Sequence, residues 1–419
     1  MGDLGAVLGR LDDIRAELTE LYKDLHANPE LSFGEHRTAA EVARRLQALG
    51  LEVATGVGYT GVVGVLRNGE GPTVLLRADF DALPVLEQTG LDYASTQRGT
   101  DPDGNDVPVM HACGHDMHVT CQLGALDLLV TARDRWSGTV VAIFQPAEEI
   151  GAGAQAMIED GLFDRFPKPD VCLGQHVFPF EAGSVGVISG PSMSAADGLK
   201  ITMFGRGAHG SQPQNAIDPV VMASATVMRL QTVVSREVAG DDTAVVTVGA
   251  IKAGTKDNII PDQAELRVNI RSFDEQVRER MIGAVERIVR AEALASGAER
   301  EPEFERLTDF PVLVNNPEAT DRTAAALRKQ LGDEQVRQLD PVTGSEDVGI
   351  FGTEADVPTC YWFFGGVEPA KYLAAKQAGS LSRDIPSNHS PFFAPVIEPT
   401  LTTGVTAMTA AALEWLAAR

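Results

Sequence analysis

Between Met110 and His118 the chain reads Met-His-Ala-Cys-Gly-His-Asp-Met-His, which puts three histidines, a cysteine and an aspartate into nine residues. Thiolate and imidazole hold zinc-like divalent ions, so this density suggests a metal site. The plainer alternative is a helix start with a buried cysteine and some surface histidines. Further donors lie far away in the chain. Glu148 and Glu149 end Gln-Pro-Ala-Glu-Glu, His176 ends Gly-Gln-His, and His389 sits in Ser-Asn-His-Ser-Pro. Cys113, His115, Glu149, His176 and His389 together offer five ligands of mixed softness, enough for two divalent ions if one residue bridges. Two neighbouring ions suit amide hydrolysis, because one polarises the carbonyl and together they lower the pKa of a shared water. The ligands must be deprotonated, so activity should fall in acid.

Adjacent side chains leave an extended backbone on opposite sides. Of Glu148 and Glu149, one is therefore expected to bind metal while the other points at the water. A free carboxylate there serves as general base and then hands the proton to the departing amine. The competing reading is an exposed pair that caps the helix starting near Gly151. His111 and His118 could stand behind the ligands and orient them, but read better as solvated surface residues, and His26 and His36 read as surface positions. Asp81 and Asp116 either orient ligands or close a turn and a helix. Cys121, Cys172 and Cys360 lie in apolar segments and read as core thiols.

The elements that must carry these residues alternate. Leu4, Val7, Leu8, Leu11, Ile14, Leu18, Leu21 and Leu25 recur at helical spacing and predict one amphipathic first helix. A second helix runs from about Glu35 to Gly50. Short apolar runs then read as strands at 51–54, 62–66, 73–77, 139–144 and 171–173. Gly56-Val-Gly-Tyr-Thr-Gly61 matches a dinucleotide fingerprint, but a strand follows it instead of a helix, so a hairpin turn is the better reading. Asp79, Cys113, Glu148/Glu149 and His176 each fall in a loop after an apolar run, where sites form in open α/β sheets. From about Met193 apolar and polar residues alternate, as in half-buried antiparallel strands. The order there is the split β-α-β-β-α-β plan. The fold expected is α/β: a domain with a central, mostly parallel sheet flanked by helices (1–192 and 308–419), with a smaller ferredoxin-like α+β domain inserted at 193–307.

A chain of 419 residues suits two domains, and a net charge of −24 disfavours nucleic acid and anionic membranes as partners. No leading apolar run reads as a signal peptide, and no stretch is long enough to span a bilayer. The four scattered cysteines suit free thiols in a reducing cytoplasm.

These motifs, with Gly-Arg-Gly-Ala-His-Gly-Ser at 205–211 and the Asn388-His389 loop, resemble the metal-dependent amidohydrolases that include hippurate hydrolases, aminoacylases and indole-acetyl-amino-acid hydrolases. The likeness covers nearly the whole chain. It implies a dinuclear site on Cys113, His115, Glu149, His176 and His389, with Glu148 as general base. It also implies a lid domain through which such proteins form homodimers or higher homo-oligomers. His209 would help polarise the scissile carbonyl, in its own site or the partner's, and Asn258 and Arg271 would hold the substrate's carboxylate. Distant relatives have a His two residues before an Asp where this chain has Asp79 and Asp81. That departure favours the acyl-amino-acid branch over di-zinc dipeptidases. Zinc, manganese, cobalt or nickel would suit sulfur, nitrogen and oxygen donors. The expected substrate is a small N-acyl amino acid, cleaved to a carboxylic acid and a free amino acid. The alternatives are a dipeptidase or carboxypeptidase of short peptides, and a catalytically silent metal-binding protein.

Overall fold

The computed structural model describes residues 4–102 and 104–418, the side chains of Leu4 and Ala6 excepted. Contacts divide the chain into two compact units. One comprises Met1–Gly190, Val314–Asp340 and Asp347–Arg419, and the other Pro191–Leu313 with Pro341–Glu346. Among the described residues no helix is long and apolar enough to cross a membrane.

In chain order the main elements are α1 (Leu11–Ala27), α2 (His36–Ala48), β1 (Glu52–Val57), β2 (Gly61–Asn68), β3 (Thr73–Asp79), α3 (His115–Thr131), β4 (Trp136–Gln145), α4 (Gly153–Glu159), β5 (Val171–Glu181) and β6 (Val185–Val187). The second unit supplies β7 (Ala195–Phe204), α5 (Pro219–Glu237), β8 (Ala244–Ala253), β9 (Gln263–Ser272), α6 (Glu275–Ala295) and β10 (Glu303–Phe310). The first unit resumes with α7 (Pro317–Leu331), β11 (Val336–Gln338), β12 (Thr359–Val367) and α8 (Ile397–Trp415).

The first unit is built on a nine-stranded sheet whose main path is β1-β2-β4-β3-β5-β12-β6-β11, with Ala417–Ala418 pairing back onto β4. Its centre, β4-β3-β5-β12, is parallel. These strands are apolar and buried almost throughout, as a sheet covered on both faces requires. Helices α1, α3 and α8 share one core with it through Leu21, Leu25, Leu126, Val140, Phe364 and Val405. The Gly56–Gly61 stretch is the hairpin between antiparallel β1 and β2.

Three local expectations fail. The first helix is two pieces, Leu4–Leu8 and α1, interrupted at Gly9-Arg10, where glycine is a poor helix former. β3 runs on through Asp79. β5 does not stop at Leu173, because its ladder with β12 holds it extended past His176, which lies opposite Phe363. Asp79 and His176 are therefore strand residues, not loop residues.

The second unit has strand order β8-β9-β7-β10, with every neighbouring pair antiparallel. Leu199, Ile201 and Met203 are buried, while Lys200, Thr202 and Phe204 between them are half-exposed. That alternation places α5 and α6 on one face, over a core including Met222, Leu266, Ile270, Met281 and Val285. The split β-α-β-β-α-β plan read from the pattern is the plan observed.

Candidate metal centre

Cys113 lies in the turn that leads into α3. Leu83 and Met110 exchange backbone hydrogen bonds of 3.0 Å in both directions and anchor the turn. Gly114 follows at φ +85°, and a Cβ there would sit 2.4 Å from Val177 Cγ1, so the Cys-Gly-His order meets a steric demand. The distant 388–389 loop is stitched to the same place. Asn388 donates to the Cys113 and Val177 carbonyls at 3.1 and 3.2 Å, and the His389 N–H donates to Ala112 O at 2.8 Å.

The two buried imidazoles are set alike. His115 donates Nδ1–H to Asp81 O at 2.9 Å, and His176 donates Nδ1–H to Val177 O at 2.7 Å. Each Nε2 is left to present a lone pair inward. His176 Nε2 lies 3.4 Å from Cys113 Sγ. His115 Nε2 lies 3.8 Å from a carboxylate oxygen of Glu148 and 3.8 Å from one of Glu149. Glu149 also reaches His389 Nε2 at 3.3 Å. Ligand atoms of Cys113/His115/His176, of Cys113/Glu149/His389 and of His115/Glu148/Glu149 form three groups, each within 4.8 Å. All six residues thus come together, although they span Cys113 to His389 in the chain.

The glutamates do not diverge as expected for an extended backbone. Residues 148–150 form a turn entered through Ala147 at φ +48°, and both carboxylates approach the same imidazole. The helix-cap alternative also fails, since both side chains are only 6% exposed and α4 starts at Gly153. Asp81 clamps the turn. Its Oδ1 accepts the Glu148 N–H and its Oδ2 the Glu149 N–H, both at 3.1 Å, and Ser32 Oγ donates to Oδ2 at 2.7 Å.

Electrostatics at the centre favour a cation. Burial raises the Glu149 carboxyl to about 8, with Asp81 and Asp79 adding to the rise. Burial works against charge on His115, yet Asp79 and its other acidic neighbours hold its pKa well above the usual imidazole value. Burial holds His176 well below that value. The buried atoms His115 Nε2 and Glu149 Oε1 have no hydrogen-bond partner. Orphaned donors of these types around one thiol are costly unless an ion joins them. The residues therefore fit a divalent metal site.

Several residues read as surface groups are buried. His118 donates Nδ1–H to Asp79 Oδ1 at 2.5 Å and accepts the Val177 N–H on Nε2 at 2.8 Å, so both nitrogens are committed. It steadies the strand beside His176. Arg77, also buried, donates to Asp79 Oδ2 at 2.6 Å, and Asp79 is held well below the usual carboxylate range. His111 is buried with neither ring nitrogen hydrogen-bonded, and burial lowers it to about 4. His26 is buried and bonds Asp116 Oδ2 at 2.6 Å and Glu87 Oε1 at 3.1 Å. No spacing rule reveals contacts 61 and 90 residues apart in sequence. His36 is exposed as expected, and Cys121, Cys172 and Cys360 are buried free thiols.

In the second unit His209 and Asn258 are exposed neighbours: His209 pairs with Ile259, and the Gly210 N–H donates to Asn258 O at 2.8 Å. His209 Nδ1 accepts the Ser211 N–H at 3.2 Å and lies 2.7 Å from Ser211 Oγ, which leaves the ring proton on Nε2. Arg271 is half-buried. Its Nε donates to Asn269 Oδ1 at 3.0 Å and its Nη1 to Thr343 O at 2.6 Å. The guanidinium is therefore not a wholly free fork here.

Residues 75–385 match the model of peptidase family M20/M25/M40. Thermostable carboxypeptidase 2 of Saccharolobus solfataricus is 39% identical over 359 residues, covering 84% of this chain and 86% of the relative. The hippurate hydrolase of Campylobacter jejuni is 39% identical over 364 residues, covering 86% and 91%. A solved dinuclear metal binding peptidase of Bacillus subtilis superposes with a TM-score of 0.73 at 29% identity, over 96% of this chain and 99% of its own. With a family match across most of its length and relatives this similar, the chain belongs to peptidase family M20/M25/M40, hydrolases of amide bonds.

Proposed function

We propose that this protein hydrolyses the amide bond of N-acyl amino acids, releasing a carboxylic acid and a free amino acid. The observation that carries the reading is the convergence of Glu148 with Glu149 on His115 Nε2, beside the Cys113/His176 pair. Five ligands, Cys113, His115, Glu149, His176 and His389, would hold two divalent ions, and the sixth donor, Glu148, is left for proton transfer. Bound there, the ions supply carbonyl polarisation and a water of lowered pKa. Glu148 would take the proton of the attacking water and deliver it to the leaving nitrogen. His209 donates Nε2–H to the developing oxyanion, and Arg271 and Asn258 meet the substrate's free carboxylate.

The carboxypeptidase and hippurate hydrolase relatives share one substrate chemistry. Each cleaves an amide whose nitrogen belongs to an amino acid with a free carboxylate. Short peptides are therefore the second reading. Assays of benzoyl-, acetyl- and longer acyl-amino acids beside dipeptides, after reconstitution with zinc, manganese, cobalt or nickel, separate the two. Turnover confined to dipeptides would overturn the first reading, and no chelator-sensitive turnover at all would favour a silent metal binder.

A homodimer through the inserted unit belongs to this proposal. Its support is the sheet-edge strand β8, with Val245 and Ile251 exposed, and the helix α5 packed beside it, with Val221 and Met228 exposed. Unpaired edges flanked by apolar side chains favour self-association. The four free thiols suit a reducing, cytoplasmic setting.

A further inference from the structure

Glu35 is fully buried, lies outside the ligand set, and is bonded to the turn that carries Glu148 and Glu149. Its Oε1 accepts the Ala147 N–H at 2.9 Å, and its Oε2 accepts Thr60 Oγ–H at 2.5 Å. Both partners sit at strained backbone. Ala147 has φ +48°, Tyr59 next to Thr60 has φ +77°, and Phe33, two residues before Glu35, has φ +60°. Left-handed conformations are costly for residues with a Cβ and persist only where the surroundings hold them. The Ala147 carbonyl is already held by the N–H groups of Ala152 and Gly153, and Asp81 holds the next two amides. Glu35 supplies the remaining hold, on the N–H of the strained residue itself.

We infer that Glu35 is a positioning residue for the proton-transferring turn: it keeps Ala147 left-handed, and so keeps the Glu148 and Glu149 carboxylates on one side. Without that bond Ala147 relaxes to negative φ, and the direction of the following two side chains changes. This inference rests on the proposed role of Glu148 only for its catalytic consequence. Its structural content is separate. A Gln at position 35 retains an oxygen for Ala147 N–H and offers an amide N–H to Thr60 Oγ, so the bond matters and the charge does not.

The test uses the full-length, metal-loaded protein as Glu35→Ala and Glu35→Gln. Three quantities are read: hydrogen exchange of the 145–152 backbone, metal content, and the split between kcat and KM. Glu35→Ala should exchange faster at 147–149. It should hold metal more weakly, because Glu149 turns with the same backbone, and at saturating metal it should lose about 10- to 100-fold in kcat with KM within about threefold, as a displaced catalytic group does. Glu35→Gln should restore both exchange and kcat to near wild-type levels. Wild-type exchange and kcat in the Ala variant, or a Gln variant as impaired as Ala, would overturn the inference. If Glu35→Ala is not recovered folded, Thr60→Val removes one of the two anchors and should shift exchange in the same direction, and unchanged exchange there overturns it equally. Should Glu148→Gln keep full turnover, the reading of Glu148 fails while the exchange data still judge Glu35.

Discussion

The two buried ligand imidazoles are committed at Nδ1 to backbone carbonyls, His115 to Asp81 and His176 to Val177, so their tautomers are set before any ion arrives. The proposed assignment leaves Glu148 outside the ligand set, so removing its carboxylate should remove chemistry but not metal. Glu148→Gln is expected to lower kcat by about 10²- to 10⁴-fold, with metal content unchanged by elemental analysis. Metal loss in step with activity would make Glu148 a ligand instead. Cys113→Ala should show the opposite pattern, ion loss first. Protons compete for the thiolate, the imidazoles and Glu149, whose carboxyl burial already raises. Apparent metal affinity should therefore fall as pH drops from 8 towards 5.5, with protons released on uptake in weakly buffered solution. An affinity independent of pH would contradict this ligand set. Residue type and local spacing made the six donors legible. The fates of His118 and His111 were not legible, because burial depends on which strand passes behind α3, and Val177 lies 59 residues away.

Among the elements, α1 and α3 are joined by a buried charge. His26 on α1 lies between Asp116, in the first turn of α3, and Glu87. Burial alone would lower its pKa, but the bonds to Asp116 and Glu87 outweigh that and raise it from 6.5 to about 9. A folded value above the unfolded one gives stability that is complete below about 6.5 and is lost as pH rises through about 9. The amount is on the order of 3 kcal/mol. Urea midpoints should fall between pH 6.5 and 9. They should fall less in His26→Leu, which leaves two buried carboxylates without a counter-charge and should cost about 3–5 kcal/mol at neutral pH. Equal slopes in the two proteins would remove His26 as the cause. Strand and helix order was legible because each period repeats several times, as in Leu199, Ile201 and Met203. The ends of β3 and β5 were not, since only the neighbouring strand decides where extension stops.

For the molecule as a whole, the change of texture near Met193 made the insertion visible, and the parallel order β4-β3-β5-β12 explains how residues from Asp79 to His389 reach one place. Subunit arrangement leaves a fainter trace, because an exposed apolar side chain reads the same whether solvent or a partner covers it. The proposed dimer gives it a test. Met228→Glu with Ile251→Lys puts charge on α5 and β8 and should convert a dimer to a monomer by sedimentation. A wild-type protein that sediments as a monomer would end the proposal. Whether His209 serves its own centre or the partner's follows from mixing two inactive proteins, His209→Ala and Glu148→Gln, under conditions of subunit exchange. If His209 acts across a two-fold interface, half the dimers are mixed, and in each of these one centre has an intact Glu148 and an intact His209 from the partner. About a quarter of wild-type turnover should then return. If His209 acts within its own chain, no centre in any mixed dimer is whole, and activity stays at the level of the separate variants.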